Sequence, residues 1–311
     1  MNPKAIGVAA AFLGGLAVAG QSQINGDLGA HMHDGFAAAL VSFLVGLVVV
    51  GAVAMLQPSA RVGMAEVRSA LALHKLRFWQ CLGGAGGALV VASQSLTVGT
   101  LGVALFTVAL VAGQSSGSLA VDRAGLGPSG PQQLTARRVT GALLTIVAVA
   151  IAVGNRLDTA SAIGLAIVPV AAGLATSVQQ AVNGRVRAAA GSVTAATLIN
   201  FIVGTVILTI ALAVDLTIRG LPTGSLPWQP WLYLGGILGV GYIALSAAIV
   251  QRIGVLLLGL ASIAGQLVGA VALDALVPGG AGSPPINTLI GVALTLIAVT
   301  IAASRPRRPS S

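Results

Sequence analysis

Long apolar runs alternate with short polar breaks along this chain, and the length of the runs predicts helices that cross a bilayer. A hydrocarbon core about 30 Å thick takes about 20 residues at 1.5 Å rise each. Runs of that size occur near 4–25, 36–56, 76–98, 101–121, 136–154, 161–183, 193–216, 231–250, 254–274 and 286–304. The breaks hold turn-forming residues: Gln57-Pro58-Ser59, the stretch 125–133 with Pro128 and Pro131, Leu221 to Pro230, and Pro278 to Pro285. The predicted fold class is therefore an all-α integral membrane protein with ten transmembrane helices.

Ten spans put both termini on one side, and the charges can then be sorted. That side receives 14 of the 16 basic residues, among them Arg61, Arg68, Lys75, Arg77, Arg185 and Arg187; the other receives only Arg156 and Arg219. Asp27, Asp34, Asp158, Asp215 and Asp274 all fall on the poor side. Lys and Arg are retained in cytoplasmic loops, so both termini are expected in the cytoplasm. Composition agrees: 56% of residues are hydrophobic and 7% charged, against about a quarter charged in soluble domains. Glycine, 42 of 311 residues, suits helices that pack through small side chains. The net charge of +9 is dispersed in short clusters between apolar runs, not gathered on a face with aromatic partners, so nucleic acid is not an expected partner. The single Cys81 reads as a small packing residue.

The second half repeats the first. Residues 15–48 set against 173–206 without a gap give 14 identities in 34 positions, including Gln21/Gln179, Asn25/Asn183, Gly26/Gly184, Phe43/Phe201 and Gly46/Gly204. The match continues through Trp79/Trp231, Gly83/Gly235, Gly84/Gly236, Gly87/Gly239, Gly102/Gly254, Gly113/Gly265, Gln114/Gln266 and Asp122/Asp274, and ends with Gly141/Gly291 and Ala148/Ala298. The N-terminal run is thus not a signal peptide, since its copy lies mid-chain. Two repeats of five spans, 1–156 and 157–311, must cross the membrane in opposite senses. Asp27 and its counterpart Arg185 carry charges of opposite sign, as that inversion requires. A 5+5 inverted-topology repeat is a recurring architecture of secondary transporters, whose solute site lies at the repeat interface.

The motifs Gln21-Ser-Gln-Ile-Asn25-Gly26 and Gln179-Gln-Ala-Val-Asn183-Gly184 are each followed by an apolar helix. Those helices carry Ser42-Phe43-Leu-Val-Gly46 and Asn200-Phe201-Ile-Val-Gly204. Over essentially the full chain this pattern resembles the YdcZ-like branch of the drug/metabolite transporter superfamily. The resemblance implies that superfamily's ten-helix, EamA-like fold and export of a small metabolite. The corresponding expectation is a multi-pass protein of the plasma (inner) membrane of a bacterium. Small relatives in the superfamily couple to protons through a membrane-embedded Glu in the first helix; the first helix here has none.

Polar side chains inside a bilayer need partners, so they face the bundle interior or a wet cavity. Gln21 and Asn25 share a helical face at four-residue spacing, as do Gln179 and Asn183. Gln114, Gln266 and Gln94 lie within other spans. These seven amides are the candidate solute-binding residues, offering donors and acceptors to a neutral or zwitterionic solute; the competing reading is that they clamp helices together. Gln114 and Gln266 lie furthest from helix ends. Asn25-Gly26 and Asn183-Gly184 also read as helix termini with glycine caps. Gly83-Gly84-x-x-Gly87 and Gly235-Gly236-x-x-Gly239 have the spacing of close helix packing. Pro169 is a candidate hinge. Asp122 and Asp274 read as caps or interface residues. His31-Met-His33-Asp34 offers too few ligands for a metal site. Neither metal nor cofactor is expected. Small residues at Ala148, Ala152, Ala298 and Ala302 can pair within one chain or across a homodimer.

Transport by alternating access is the expected function. An intramembrane enzyme would need clustered acids, histidines or an activated nucleophile, which the spans lack. A scramblase, a sensor or a membrane assembly factor are the other readings. A scramblase would place its polar residues in a lipid-facing groove.

Overall fold

The computed structural model describes residues 3–127, 130–131, 134–153, 160–220, 224–276 and 284–303, with side chains at 5–127, 130–131, 134–152, 164–220, 224–243, 245, 259, 261–276 and 284–301. Every regular element among them is helical: α1 (Pro3–Met32), α2 (Gly35–Leu56), α3 (Pro58–Ala72), α4 (Gly84–Leu101), α5 (Val103–Ala124), α6 (Ala136–Val153), α7 (Ala160–Ala190), α8 (Val193–Arg219), α9 (Leu234–Leu276) and α10 (Ile286–Ala303). Short 3-10 turns, Phe78–Gly83 and Pro230–Tyr233, lead into α4 and α9. Six helical segments among the described residues are long and apolar enough to cross a membrane: 5–32, 35–56, 78–101, 103–124, 164–190 and 193–219. Large apolar side chains such as Val48, Leu56, Ile210 and Ile218 stand exposed on them, a surface that water would not tolerate and lipid would cover.

Capping chemistry explains several boundaries. Asp34 accepts from the N–H groups of Phe36 and Ala37, both at 2.9 Å, and starts α2. Ser192 accepts from the Ala195 N–H and starts α8. Between α4 and α5, Gly102 takes φ +80°, a conformation that costs a residue with a Cβ dearly. Asp274, from α9, then accepts from the Val103 and Ala104 N–H groups at 2.7 and 2.8 Å and caps α5. A buried carboxylate thus satisfies two of the orphan donors of a helix start.

Three expectations from the sequence are corrected. Asn25-Gly26 and Asn183-Gly184 do not end helices; α1 runs on to Met32 and α7 to Ala190. In α1 the glycines serve packing instead. A Cβ on Gly26 would stand 2.7 Å from Val98, and one on Gly29 would stand 2.1 Å from the Ser95 carbonyl oxygen. The polar break after Gln57 contains an amphipathic helix, α3, begun by Pro58 at its first turn. Its buried residues Ala60, Gly63 and Val67 face the α7–α8 connection, with Gly63 against the Ala190 carbonyl. A search for spans by length and hydropathy passes over such a helix.

The third correction concerns the runs 231–250 and 254–274, which form one continuous helix of 43 residues. If straight it would be about 64 Å long, yet both of its ends pack along α1. Gly14 lies against Tyr242 and Leu245, while its neighbour Gly15 lies against the Ser262 carbonyl and Gln266. The first arm descends α1, from Asn25 at Gly235 through Gln21 at Gly239. The second climbs it again: the Ser262 hydroxyl bonds to the Ala11 carbonyl, Phe12 meets Gly265 and Leu16 meets Gly269. Close approach at these glycines brings backbone against backbone, and Ala270 and Leu267 are fully buried.

Candidate solute path

Contacts between the two halves recur in matched pairs. A Cβ on Gly235 would stand 2.2 Å from Asn25 Oδ1, and one on Gly83 would stand 2.2 Å from Asn183 Oδ1. Gly239 and Gly87 meet Gln21 Nε2 and Gln179 Nε2 at 3.2 and 2.9 Å in the same measure. Gly236 meets the Ser42 carbonyl and Gly84 the Asn200 carbonyl, both at 2.1 Å. The amides of each half therefore rest on the glycine run of the other. The missing side chains leave room for amides to reach the backbone, which joins the packing and binding readings of that motif.

Two polar clusters result. In the first, Asn25 Nδ2 donates to Gln94 Oε1 at 2.6 Å, Gln94 Nε2 donates to Ser22 Oγ at 3.0 Å, and Ser22 Oγ donates to the Val18 carbonyl at 3.0 Å. Asn25, Gln94 and Ser22 are 0%, 1% and 2% exposed, so this end is sealed. In the second, Gln179 Nε2 and Asn183 Nδ2 both donate to Asn200 Oδ1, at 3.0 and 2.8 Å. Gln179 and Asn183 are only half-buried. Asn183 is thus more accessible than its counterpart Asn25, while Gln21 and Gln179 are both half-buried. Between them lie Phe43 and Phe201, with ring centroids 5.1 Å apart and planes at 41°. Each ring sits where a side chain on Gly204 or Gly46 of the other half would be, 2.2 Å from its Cβ position.

Two buried atoms at the sealed end stand out: Asn25 Oδ1 and Ser42 Oγ have no hydrogen-bond partner among the described residues. Both lie beside Gly235, 2.2 and 3.1 Å from its Cβ position. A buried acceptor left without a donor costs roughly 1–3 kcal/mol, so an ordered water or another donor group is called for there. A hydroxyl, ammonium or amide donor of a solute would satisfy them.

Of the seven candidate amides, the structure brings Asn25 to Gln94 and sets Gln179 beside Asn183, while Gln21 borders Gly239. Gln114 and Gln266 lie elsewhere, at the α5–α7 and α1–α9 contacts. Their backbone nitrogens stand 2.7 and 2.8 Å from the Cβ positions of Gly173 and Gly15, and Ser177 Oγ donates to the Gln114 carbonyl at 2.8 Å. Their side chains bond to neither cluster among the described residues. Pro169 is buried within α7, one residue before the Val170 carbonyl that meets Gly113. Ser22, Ser42 and Asn200 were not chosen from the sequence as solute contacts. Asn200 carried a signal: a polar residue in an apolar run, aligned with Ser42 by the duplication.

Asp122 pairs with Arg138, and Asp274 serves α5 as described. The small residues of α6 and α10 pair within the chain: Gly291 lies against the Ala148 carbonyl and Ala152, and Ala148 and Ala298 are fully buried. The side chain of Ala302 lies outside the described residues. In the His31–Asp34 stretch, the Asp34 carboxylate is engaged in capping α2.

Among curated proteins, none matches the chain. The family described as "Putative inner membrane exporter, YdcZ" matches residues 6–151 and 164–301. That family is one of membrane exporters, not of enzymes, and its multi-pass membrane character agrees with the apolar helices above. The chain belongs to the YdcZ family of inner-membrane transport proteins.

Proposed function

We propose that this chain is a secondary transporter that exports a small neutral or zwitterionic metabolite by alternating access, at the interface of two inverted five-span halves. The observation that carries the reading is the pair of equivalent amide clusters, Gln21–Asn25 and Gln179–Asn183, each set against the glycines of the opposite half. Inverted repeats with a central polar site are the architecture on which alternating access runs. The two stretches matched by the family, 6–151 and 164–301, divide where the duplication divides. The two arms of α9 correspond to spans eight and nine of a ten-span topology, both termini being cytoplasmic.

The sealed Asn25–Gln94–Ser22 end and the half-buried Gln179–Asn183 end suit a state open toward the side that holds Arg185. Gln114 and Gln266, off both clusters, would line the path only at other stages of the cycle, and Pro169 would act as hinge. A solute screen in proteoliposomes tests this, comparing wild type with Gln179→Ala/Asn183→Ala and with Gln114→Ala/Gln266→Ala. Loss of uptake in the first double variant is expected. Normal uptake in both would remove these amides from the path. Tags at Arg68 and Arg185 found on different faces of the membrane would remove the inverted topology.

A further inference from the structure

Beside the Asn183 end lies an open cavity of about 450 Å³, lined by α3, the residues that follow it, the 3-10 turn Phe78–Gly83 and the last third of α7. Its polar wall is Glu66, Ser69, Lys75, Gln80 and Arg185. Glu66 and Ser69 share a face of α3 at three-residue spacing. Gln80 is 7% exposed, and its Oε1 accepts from the Arg77 N–H at 2.9 Å, which fixes the amide. Arg185 is held by two bonds to the end of α5: Nε to the Leu126 carbonyl at 2.6 Å and one terminal nitrogen to the Gly125 carbonyl at 2.9 Å. Glu66 and Lys75 face the same space without forming an ion pair within 4.0 Å, with each other or with any described residue. The lining therefore carries one carboxylate, one ammonium and one guanidinium, charges of both signs around one space.

Its position ties it to the amides. Gln80 precedes by one turn the Gly83 that Asn183 abuts, and Arg185 follows Asn183 by two residues. We propose that this cavity is an entry site for zwitterionic solutes, compact molecules carrying both an ammonium and a carboxylate. Glu66 receives the ammonium, Lys75 and Arg185 receive the carboxylate, and Gln80 adds an amide toward the Asn183 cluster. A space of this volume takes a skeleton of a few carbons with its hydration. This assignment rests on the transporter reading and narrows its solute class. The same charge pattern also fits the headgroup of a zwitterionic lipid, so the test must separate the two sources.

The test is uptake of radiolabelled α-amino acids, and of uncharged polyols of matching size, by proteoliposomes of phosphatidylglycerol with or without phosphatidylethanolamine. Glu66→Gln and Lys75→Gln are each expected to raise the half-saturating concentration of a transported amino acid about two- to fivefold, leaving polyols unaffected. Arg68→Gln, on the same helix outside the cavity, should change nothing. Uptake of amino acids with the same half-saturation in every variant overturns the entry site and leaves the transporter standing. Uptake of polyols alone overturns the zwitterion class in the same way. If phosphatidylethanolamine raises the wild-type value but not that of Glu66→Gln, the cavity belongs to lipid and the proposal fails. No uptake of any solute by wild type would instead refute the transporter reading itself.

Discussion

Replacing Gln94 by Leu tests whether the sealed cluster is a gate. The change keeps the side chain's bulk at a site 1% exposed and removes both of its hydrogen bonds, to Asn25 at 2.6 Å and Ser22 at 3.0 Å. Interhelical bonds of this kind in membranes contribute about 0.6–1.7 kcal/mol each. Asn25 Oδ1 already lacks a partner, so the variant would leave the whole Asn25 amide stranded, at about 1–3 kcal/mol more. The sum, about 2–6 kcal/mol, weakens the seam where Gly26 meets Val98 and Gly29 meets the Ser95 carbonyl. If that seam opens in the transport cycle, the open state should gain about 30- to 20,000-fold in population. Cysteine labelling reads this directly. In a Cys81→Ser background, which removes the single native thiol, Ser95→Cys places a reporter in the seam at 7% exposure. A membrane-impermeant maleimide should label it at least tenfold faster once Gln94 is Leu. An unchanged rate in protein that remains monodisperse would refute the gate and leave Gln94 as helix glue.

Other substitutions test the same geometry. Asn200→Ala removes the acceptor shared by Gln179 and Asn183 and should cost about 1–3 kcal/mol, read as a lower Tm in detergent. Asn200→Ser, which copies the residue at position 42, should recover part of it. Gly113→Ala and Gly265→Ala each place a Cβ 2.0 Å from a carbonyl oxygen, of Val170 and Phe12 respectively. Both should destabilise by more than about 2 kcal/mol, while Gly51→Ala, which meets nothing within 4 Å, should leave Tm unchanged. Asp274→Ala strips the cap from α5 and should cost about 1–2 kcal/mol; an unaltered Tm would show that the Val103 and Ala104 N–H groups find other partners.

The helices were legible because the bilayer imposes a length that hydropathy reports directly, as with 36–56 against Gly35–Leu56. The pairing of amides with glycines was half legible. The duplication aligned Asn25 with Asn183 and Gly83 with Gly235, but only the fold reveals that each asparagine sits on the other half's glycine. Asn25-Gly26 misled because a local rule, glycine as helix terminator, was applied where a tertiary contact with Val98 governs. Gln114 and Gln266 show another limit: depth along a helix says nothing about azimuth, and it is the backbone of these residues that meets the α5–α7 and α1–α9 seams. α3 was missed because its stability comes from the α7–α8 connection it covers, not from lipid.

The places where the halves differ carry more functional weight than those where they agree. Shared residues, Gly83/Gly235 and Gly113/Gly265 among them, give both halves the same packing, which any exchange between two mirrored states requires. Identical halves would make those two states equal in free energy, apart from the sidedness of the membrane. Three substitutions break the tie: Gln94 against Ser246, Ser22 against Gln180, and Ser42 against Asn200. Gln94 reaches both Asn25 and Ser22, two bonds that a serine in its place would be too short to make together. The Asn25 seam therefore has the stronger closure and the Asn183 seam the weaker, which favours a resting state that holds the entry cavity open. Putting glutamine at position 246 should narrow that bias. Maleimide labelling of Ser95→Cys should then rise in Ser246→Gln, and a constant rate would show that the two ends do not exchange.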